Sequence, residues 1–347
     1  MAESKDVKAP GGRNDRPMTI AQIAELAGVS TATVSKVVNG RSEVAPETRA
    51  LVEGVISTHG YRRLKKPAKP ASLLELVFHE LEGHYPLEII KGVERVAGAH
   101  QLAMVLSRLD SEHTPGRNWV EGVLNRRPTG VIAVFSGVTA EQGDQLRARD
   151  IPFVLVDPTG EPGHSCPSVG AGNWSGGLSA TRHLLDLGHR RIAIITGPSH
   201  ALSARARLDG YRAAMDAAGV PLDPQLIRTG DFQPADGLAH TRELLGLPDP
   251  PTAVFASNDG QALGVYQAAH EAGLRIPHDL SVIGFDDLPP AQWAVPPLTT
   301  VRQPLTEMAA TAASMVLTLA RGELLTRNRM ELATDLVVRG STAPPSR

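Results

Sequence analysis

The chain has 347 residues, 41% hydrophobic and 21% charged, which is too long for one core and suits two or three domains. No apolar run reaches the roughly 18 residues of a membrane span, Met1 to Pro17 holds no apolar signal-peptide core, and the single cysteine, Cys166, excludes an internal disulfide and paired-cysteine metal spacings; a cytoplasmic protein is expected. The net charge of -2 hides a division, because residues 1–70 carry 12 of the 35 Lys and Arg but only 7 of the 37 Asp and Glu, leaving 23 and 30 for the rest.

A basic head on an acidic body is the layout of a protein whose one end meets phosphate, although a solubilising segment has the same charge. After a tail expected to be disordered (1–18), Thr19 caps a helix whose apolar positions Ile20, Ile23, Ala24 and Ala27 share one side. Gly28 stops it. Ser30 caps a second helix, running to Asn39 and Gly40, with Val34, Val37 and Val38 as its buried stripe and Thr31, Ala32, Thr33, Ser35 and Lys36 facing outward. Pro46 opens a third helix carrying Leu51, Val52, Val55 and Ile56 up to Gly60. Two short helices about a tight turn, backed by a third, form a helix-turn-helix whose second helix has side chains short enough to sit deep in a major groove.

The stretch "TIAQIAELAGVSTATVSKVVNG" followed by "VAPETRALVEGVISTHGY" resembles the headpiece of the LacI/GalR family of bacterial repressors, almost position for position from Thr19 to Tyr61. The resemblance implies that Thr31, Ala32 and Lys36 read base edges. It implies that Ser30, Thr33, Ser35 and Asn39 hold phosphates or orient the helix, with Thr19 beside them. Lys36 is the one long reader, so sequence choice is expected to depend on it.

Family members continue into a hinge helix with a leucine wedge for the minor groove. Here the basic linker (62–72) reads "RRLKKPAKPAS", and Pro67 and Pro70 disfavour a regular helix. Leu64 is the candidate wedge. Arg62, Arg63, Lys65, Lys66 and Lys69 are candidates to follow phosphates or enter a narrow groove, and a merely solvated linker has the same composition.

From Leu73 onward apolar runs ("LLELVF", "LAMVLS", "TGVIAVFS", "PFVLVD", "RRIAIITG", "TAVFAS", "LSVIGFDD") alternate with amphipathic stretches such as Pro86 to Ala99, Gly177 to Leu187 and Gly260 to Ala272, the rhythm of parallel α/β layers. The body (73–340) resembles the two-subdomain periplasmic sugar-binding fold. Its first subdomain is expected over about 73–170 and 303–328 and its second over about 171–302 and 329–340, with three crossovers and a disordered tail at 341–347.

Ligands of such sheets collect at the carboxyl ends of strands. Asp157, Asn258, Asp259, Asp286 and Asp287 follow apolar runs, where each also suits a helix cap or turn. By resemblance, "SARARLDGY", "SNDGQALG", "FDD" and "PPLTTVRQP" make Arg207, Asn258 and Asp286 effector contacts, with His79 and Asp157 beside them. Carboxylates and a guanidinium can each grip neighbouring hydroxyls, and Trp174 and Trp293 are either stacking platforms for a sugar ring or core filling.

Enzyme motifs fail on spacing. In "HELEGH" the second histidine, His84, is five positions after His79, off the face that a zinc helix needs, and "GAGNWSGG" has its last glycine one place late for a dinucleotide loop. No catalytic residue, metal or cofactor is expected. The expectation is a dimeric regulator, a repressor of near-palindromic operators released by a small sugar between the subdomains; the absence of a heptad-bearing C-terminal helix favours a dimer over a tetramer. A sugar-binding sensor or transport-type protein is the alternative.

Overall fold

The computed structural model describes residues 18–38, 44–59, 71–109, 117–134, 139–159 and 166–346. The chain divides into two units, Met1–Lys69 and Pro70–Arg347.

In the first unit, α1 (Ile20–Leu26), α2 (Thr31–Val38) and α3 (Pro46–His59) enclose a small core of Ile23, Ala24, Ala27, Val34, Val37 and Val52. Thr19 and Gln22 close a reciprocal capping box on α1: the Gln22 amide N–H donates to Thr19 Oγ1 at 3.4 Å and the Thr19 N–H to Gln22 Oε1 at 2.9 Å. A cap of this type is worth about 1 kcal/mol, a large share of what so small a core supplies. Gly28 makes the turn with φ +61°, a conformation that costs a side chain energy. Ser30 Oγ then accepts from the Thr33 N–H at 3.1 Å, capping α2. Leu51 departs from expectation. It is 52% exposed, because Val52, Val55 and Ile56 already occupy the inward stripe and Leu51 sits one residue, about 100° of helix, off it.

The second unit begins with β1 (Ala71–Phe78), α4 (Tyr85–Ala99), β2 (Ala103–Arg108), α5 (Arg117–Arg126), β3 (Pro128–Val134), α6 (Ala140–Arg147), β4 (Phe153–Val156) and β5 (Ser168–Ala171). It crosses into α7 (Asn173–Asp186), β6 (Ile192–Thr196), α8 (Leu202–Ala217), β7 (Ile227–Thr229), α9 (Pro234–Leu245), β8 (Ala253–Ala256), α10 (Asp259–Glu271), β9 (Ser281–Asp286), α11 (Pro289–Trp293) and β10 (Thr299–Arg302). It returns through α12 (Leu305–Ala320) and β11 (Arg329–Leu332), and crosses again to β12 (Asp335–Val337). Among the described residues these strands form two six-stranded sheets, ordered β11-β5-β4-β3-β1-β2 and β12-β10-β9-β8-β6-β7. All pairings are parallel except β10 with β12. The seven apolar runs all form strands, six of them buried on both faces between helices as βαβ crossovers require, while β2, at the edge of its sheet, stays partly exposed. In β1 the charged Glu75 is fully buried, held by Arg126 at 3.0 Å from Nε and by Ser107 at 2.7 Å.

Two boundaries differ from expectation. The third crossover lies at 333–334, not at 328, because β11 pairs in parallel with β5 in the first sheet, Met330 opposite Val169. As an edge strand with one partner it tolerates exposed side chains, and it carries no apolar run of the kind that marks the other strands. The segment 341–346, expected to be disordered, is packed on the second subdomain: Ser341 Oγ donates to Val282 O at 2.6 Å and accepts from Thr299 N at 2.7 Å. His189 Nε2 donates to Ala343 O at 2.9 Å. Hydroxyls and a buried imidazole thus pair the backbone of a segment whose composition reads as loop.

Burial holds His189 below its ordinary pKa of 6.5, with the hydrogen bond to Ala343 opposing and nearby His183, itself lowered by burial, reinforcing. A histidine kept neutral in the fold contributes stability that is complete above its unfolded pKa and is lost as pH falls toward the folded value. The thermal midpoint is therefore expected to drop between about pH 7.5 and pH 5.5, and His189→Gln to flatten that slope in a melting series.

Candidate functional site

The headpiece presents one face of α2. Thr31, Ala32 and Lys36 are exposed on it and Thr33 and Ser35 are half-buried. Ser30 and Thr33 hold each other, hydroxyl to hydroxyl, at 2.9 Å at the start of α2, while Thr19 is engaged in the capping box of α1. Asn39, Arg62, Arg63, Leu64, Lys65, Lys66 and Lys69 lie outside the described residues.

In the second unit three of the expected ligand residues come together: Arg207 from α8 faces Asp286 at the end of β9 and Asp157 after β4. Arg207, on α8, is 3% exposed and fixed on three sides: Nε donates to Asn173 Oδ1 at 2.9 Å, Nη1 to Ser257 O at 2.5 Å, and the guanidinium lies 3.8 Å from the centre of the Phe285 ring. Its counter-charge is Asp286 at 3.9 Å, whose Oδ1 also accepts from Gln303 Nε2 at 2.6 Å. From the first subdomain Asp157 faces the same group, accepting a 2.6 Å hydrogen bond from Tyr85 Oη. Two buried carboxylates thus confront one guanidinium. Burial pushes the Asp286 carboxyl up to about 7, against the opposing pull of Arg207, raises Asp157, and lifts the Tyr85 phenol well above its ordinary value. Such carboxylates gain from hydroxyl donors that replace lost water, which is the chemistry of a polyol ligand.

The backbone carries strain at these positions: Asp157, Phe232, Asp286 and Asp287 have φ of +46°, +63°, +115° and +59°. Non-glycine residues hold such angles where the surroundings over-determine them, commonly at ligand sites.

Asn258 acts as a helix cap. Its Oδ1 accepts from Gln261 N at 2.7 Å and its Nδ2 donates to Phe232 O at 2.8 Å, so it positions Phe232, whose ring centre lies 5.8 Å from the Arg207 guanidinium. Asp259, the next residue, accepts from Leu288 N in the loop after β9 and from Thr300 Oγ1 on β10. His79 follows β1 and is half-buried. The tryptophans are not core filling. Trp174, on the first turn of α7, is 48% exposed, and Trp293, ending α11, is 69% exposed and edge-on to His84 at 6.1 Å. His84 precedes α4 rather than sharing a helix with His79, and among the described residues no group of three His, Cys, Asp or Glu is placed to hold a metal.

Contacts bridge the two subdomains across the cleft: a strand-like pairing of Thr159 with Ala201, and Gln233 Nε2 donating to Glu80 at 3.0 Å. Tyr85, Asn173, Phe232 and Gln303 were not singled out by sequence. Gln303 and Asn173 do lie within the quoted stretches "PPLTTVRQP" and "GAGNWSGG", and a polar residue directly after a strand was the available signal.

A compact helix-turn-helix unit, and a separate two-layered α/β unit with a charged cleft between its layers, together define a ligand-responsive DNA-binding transcriptional regulator. The family model for bacterial regulatory proteins of the LacI family matches residues 19–63, and that for a periplasmic binding protein-like domain matches 181–342. The ribose operon repressor of Escherichia coli (strain K12) is 34% identical over 330 residues, covering 93% of this chain and 99% of its own. The chain belongs to the LacI family. Among solved structures, the transcriptional regulator CelR in complex with cellobiose is 34% identical with a TM-score of 0.72, covering 94% of this chain and all of its own. The lac repressor dimer bound to operator and the anti-inducer ONPF is 29% identical with a TM-score of 0.70 and the same coverage. No helix among the described residues is long and apolar enough to cross a membrane.

Proposed function

We propose that this chain is a cytoplasmic, non-catalytic repressor of carbohydrate-utilisation genes, which binds a near-palindromic double-stranded operator as a homodimer and is released when a small sugar binds between its subdomains. The observation that carries the reading is the buried Arg207 flanked by Asp286 and Asp157 from different subdomains, a set that a polyol can join. A ligand that holds both subdomains favours the closed cleft by its differential affinity for the two arrangements, and that difference drives release. The ribose and cellobiose in the relatives' names support a sugar, and the operator-bound lac repressor dimer supports the DNA and the two-fold assembly. In this reading Arg207, Asp157 and Asp286 hold hydroxyls, His79, Trp174 and Trp293 stand around the ligand, and Asn258 acts through Phe232. Thr31, Ala32 and Lys36 read bases, while Thr19, Ser30, Thr33, Ser35 and Asn39 meet phosphates or orient α2. Arg62, Arg63, Leu64 and Lys65 continue onto the DNA.

The test is a band-shift titration with DNA upstream of the gene, at several salt concentrations, with and without a sugar panel. A specific shift that a sugar reverses is expected, and a solute-binding protein would give none. Lys36→Ala is expected to lower discrimination between operator and mismatched DNA by about 1–3 kcal/mol while leaving non-specific binding nearly unchanged, and full retention of discrimination in a competition assay removes Lys36 as a reader.

A further inference from the structure

Beside the Arg207 cluster lies a cavity of about 440 Å³ between the two subdomains. It is lined by Glu88, Thr306 and Glu307 from the first, by Trp293 and Arg302 from the second, and by the Asp286–Gln303 pair that also faces Arg207. We propose that the effector is a chain of at least two sugar rings, the first held by Arg207, Asp286 and Asp157 and the second lying in this cavity against Trp293. The proposal rests on the sugar-sensor reading and narrows its ligand class.

Position comes first. Asp286 and Gln303 belong to both places, so a ring bonded to Asp286 already stands at the cavity's edge. The volume falls in the range of about 300–1,000 Å³ typical of pockets for organic ligands. Gln303 supplies an acceptor in want of a donor: its Nε2 is spent on Asp286, while its Oε1 is buried and has no hydrogen-bond partner among the described residues. A hydroxyl satisfies it, and a buried carbonyl left unpaired carries a desolvation penalty.

Charge then decides between a polyol and a cation. The carboxylates around the cavity are already paired, Asp287 with Arg302 at 2.7 Å and Arg339 at 2.6 Å, Glu88 with Lys91 at 2.6 Å, and Glu307 with Arg95 at 3.1 Å. An organic cation would find little unbalanced charge. A neutral ring can use their remaining lone pairs for hydroxyls, and the exposed indole of Trp293 offers a flat apolar wall for its C–H face. Because both subdomains contribute lining, the second ring adds to the preference for the closed cleft.

The experiment is calorimetric titration of the full-length protein with cellobiose, xylobiose and maltose, alongside glucose, xylose and ribose. At least one disaccharide is expected to bind about tenfold or more tightly than its own monosaccharide, and Trp293→Ala to shrink that ratio by weakening the disaccharide more than the monosaccharide. Gln292→Trp, which fills the cavity from an exposed position, is expected to reject disaccharides selectively, so the proposal does not depend on one variant's folding. Monosaccharides binding as tightly as disaccharides, or Trp293→Ala and Gln292→Trp weakening both alike or neither, overturns the second ring and leaves the sensor intact. No binding by any sugar overturns the sensor reading and this proposal together.

Discussion

Arg207→Ala is expected to abolish the response to effector while leaving operator binding in its absence intact. The substitution removes hydrogen bonds to Asn173 and Ser257, the stack on Phe285 and the counter-charge of Asp286 in one step. Deleting one partner of a buried ion pair commonly costs about 3–5 kcal/mol, because the other charge is left without compensation. Here the loss is softened: Asp286, already held up to about 7, can take a proton and become neutral. A protonated Asp286 is a poorer acceptor for ligand hydroxyls, so the variant loses affinity twice over, through the missing donor and through the weakened acceptor. Arg207→Lys keeps the charge without the planar fork that reaches Asn173 and Ser257 together, and is expected to restore stability better than binding. Thermal unfolding, sugar calorimetry and band shifts separate these effects. A variant that still releases DNA with sugar removes Arg207 from the pocket.

The parts of this protein that follow local rules were readable from its sequence, and the parts that depend on meeting distant residues were not. Thr19 with Gln22, and Ser30 with Thr33, are capping pairs three residues apart, and Val34 and Val37 repeat at helical spacing, so the headpiece declared itself. The apolar strands did so through length and burial on both faces. Arg207 stood out by family resemblance, but nothing in "SARARLDGY" distinguishes it physically from Arg205 beside it. What selects Arg207 is α8 turning it toward Asn173, 34 residues away in sequence, and Ser257, 50 residues away. Tyr85 and Asp157 meet across 72 residues. The tail at 341–346 misled because its Ser, Thr and Pro content is that of a loop, and its order comes from Val282, Thr299 and His189 supplying partners that no local pattern announces.

The position of Arg207 depends in turn on a residue with no side chain. Gly177 on α7 lies against the backbone of α8 at Arg207: a Cβ there would overlap the Arg207 carbonyl oxygen and stand 2.9 Å from its Cα. Gly210, one turn along α8, meets the Trp174 carbonyl in the same way, so the helices cross at a distance that only this pair of glycines permits. Gly177→Ala is therefore expected to force α8 outward and cost about 1–3 kcal/mol or more, as overpacking does, since backbone cannot swing aside as a long side chain can. The displacement acts on the residue that holds Asp286, so sugar affinity is expected to fall by more than tenfold even at temperatures where the variant stays folded. Gly130→Ala supplies the comparison. Its Cβ would press on Val316 near the start of β3, away from the strand ends that carry the cleft, and it is expected to lower the melting temperature while sparing sugar affinity. Equal affinity losses in the two variants would mean that binding tracks overall stability, whereas a loss confined to Gly177→Ala ties it to the helix crossing that aims the guanidinium.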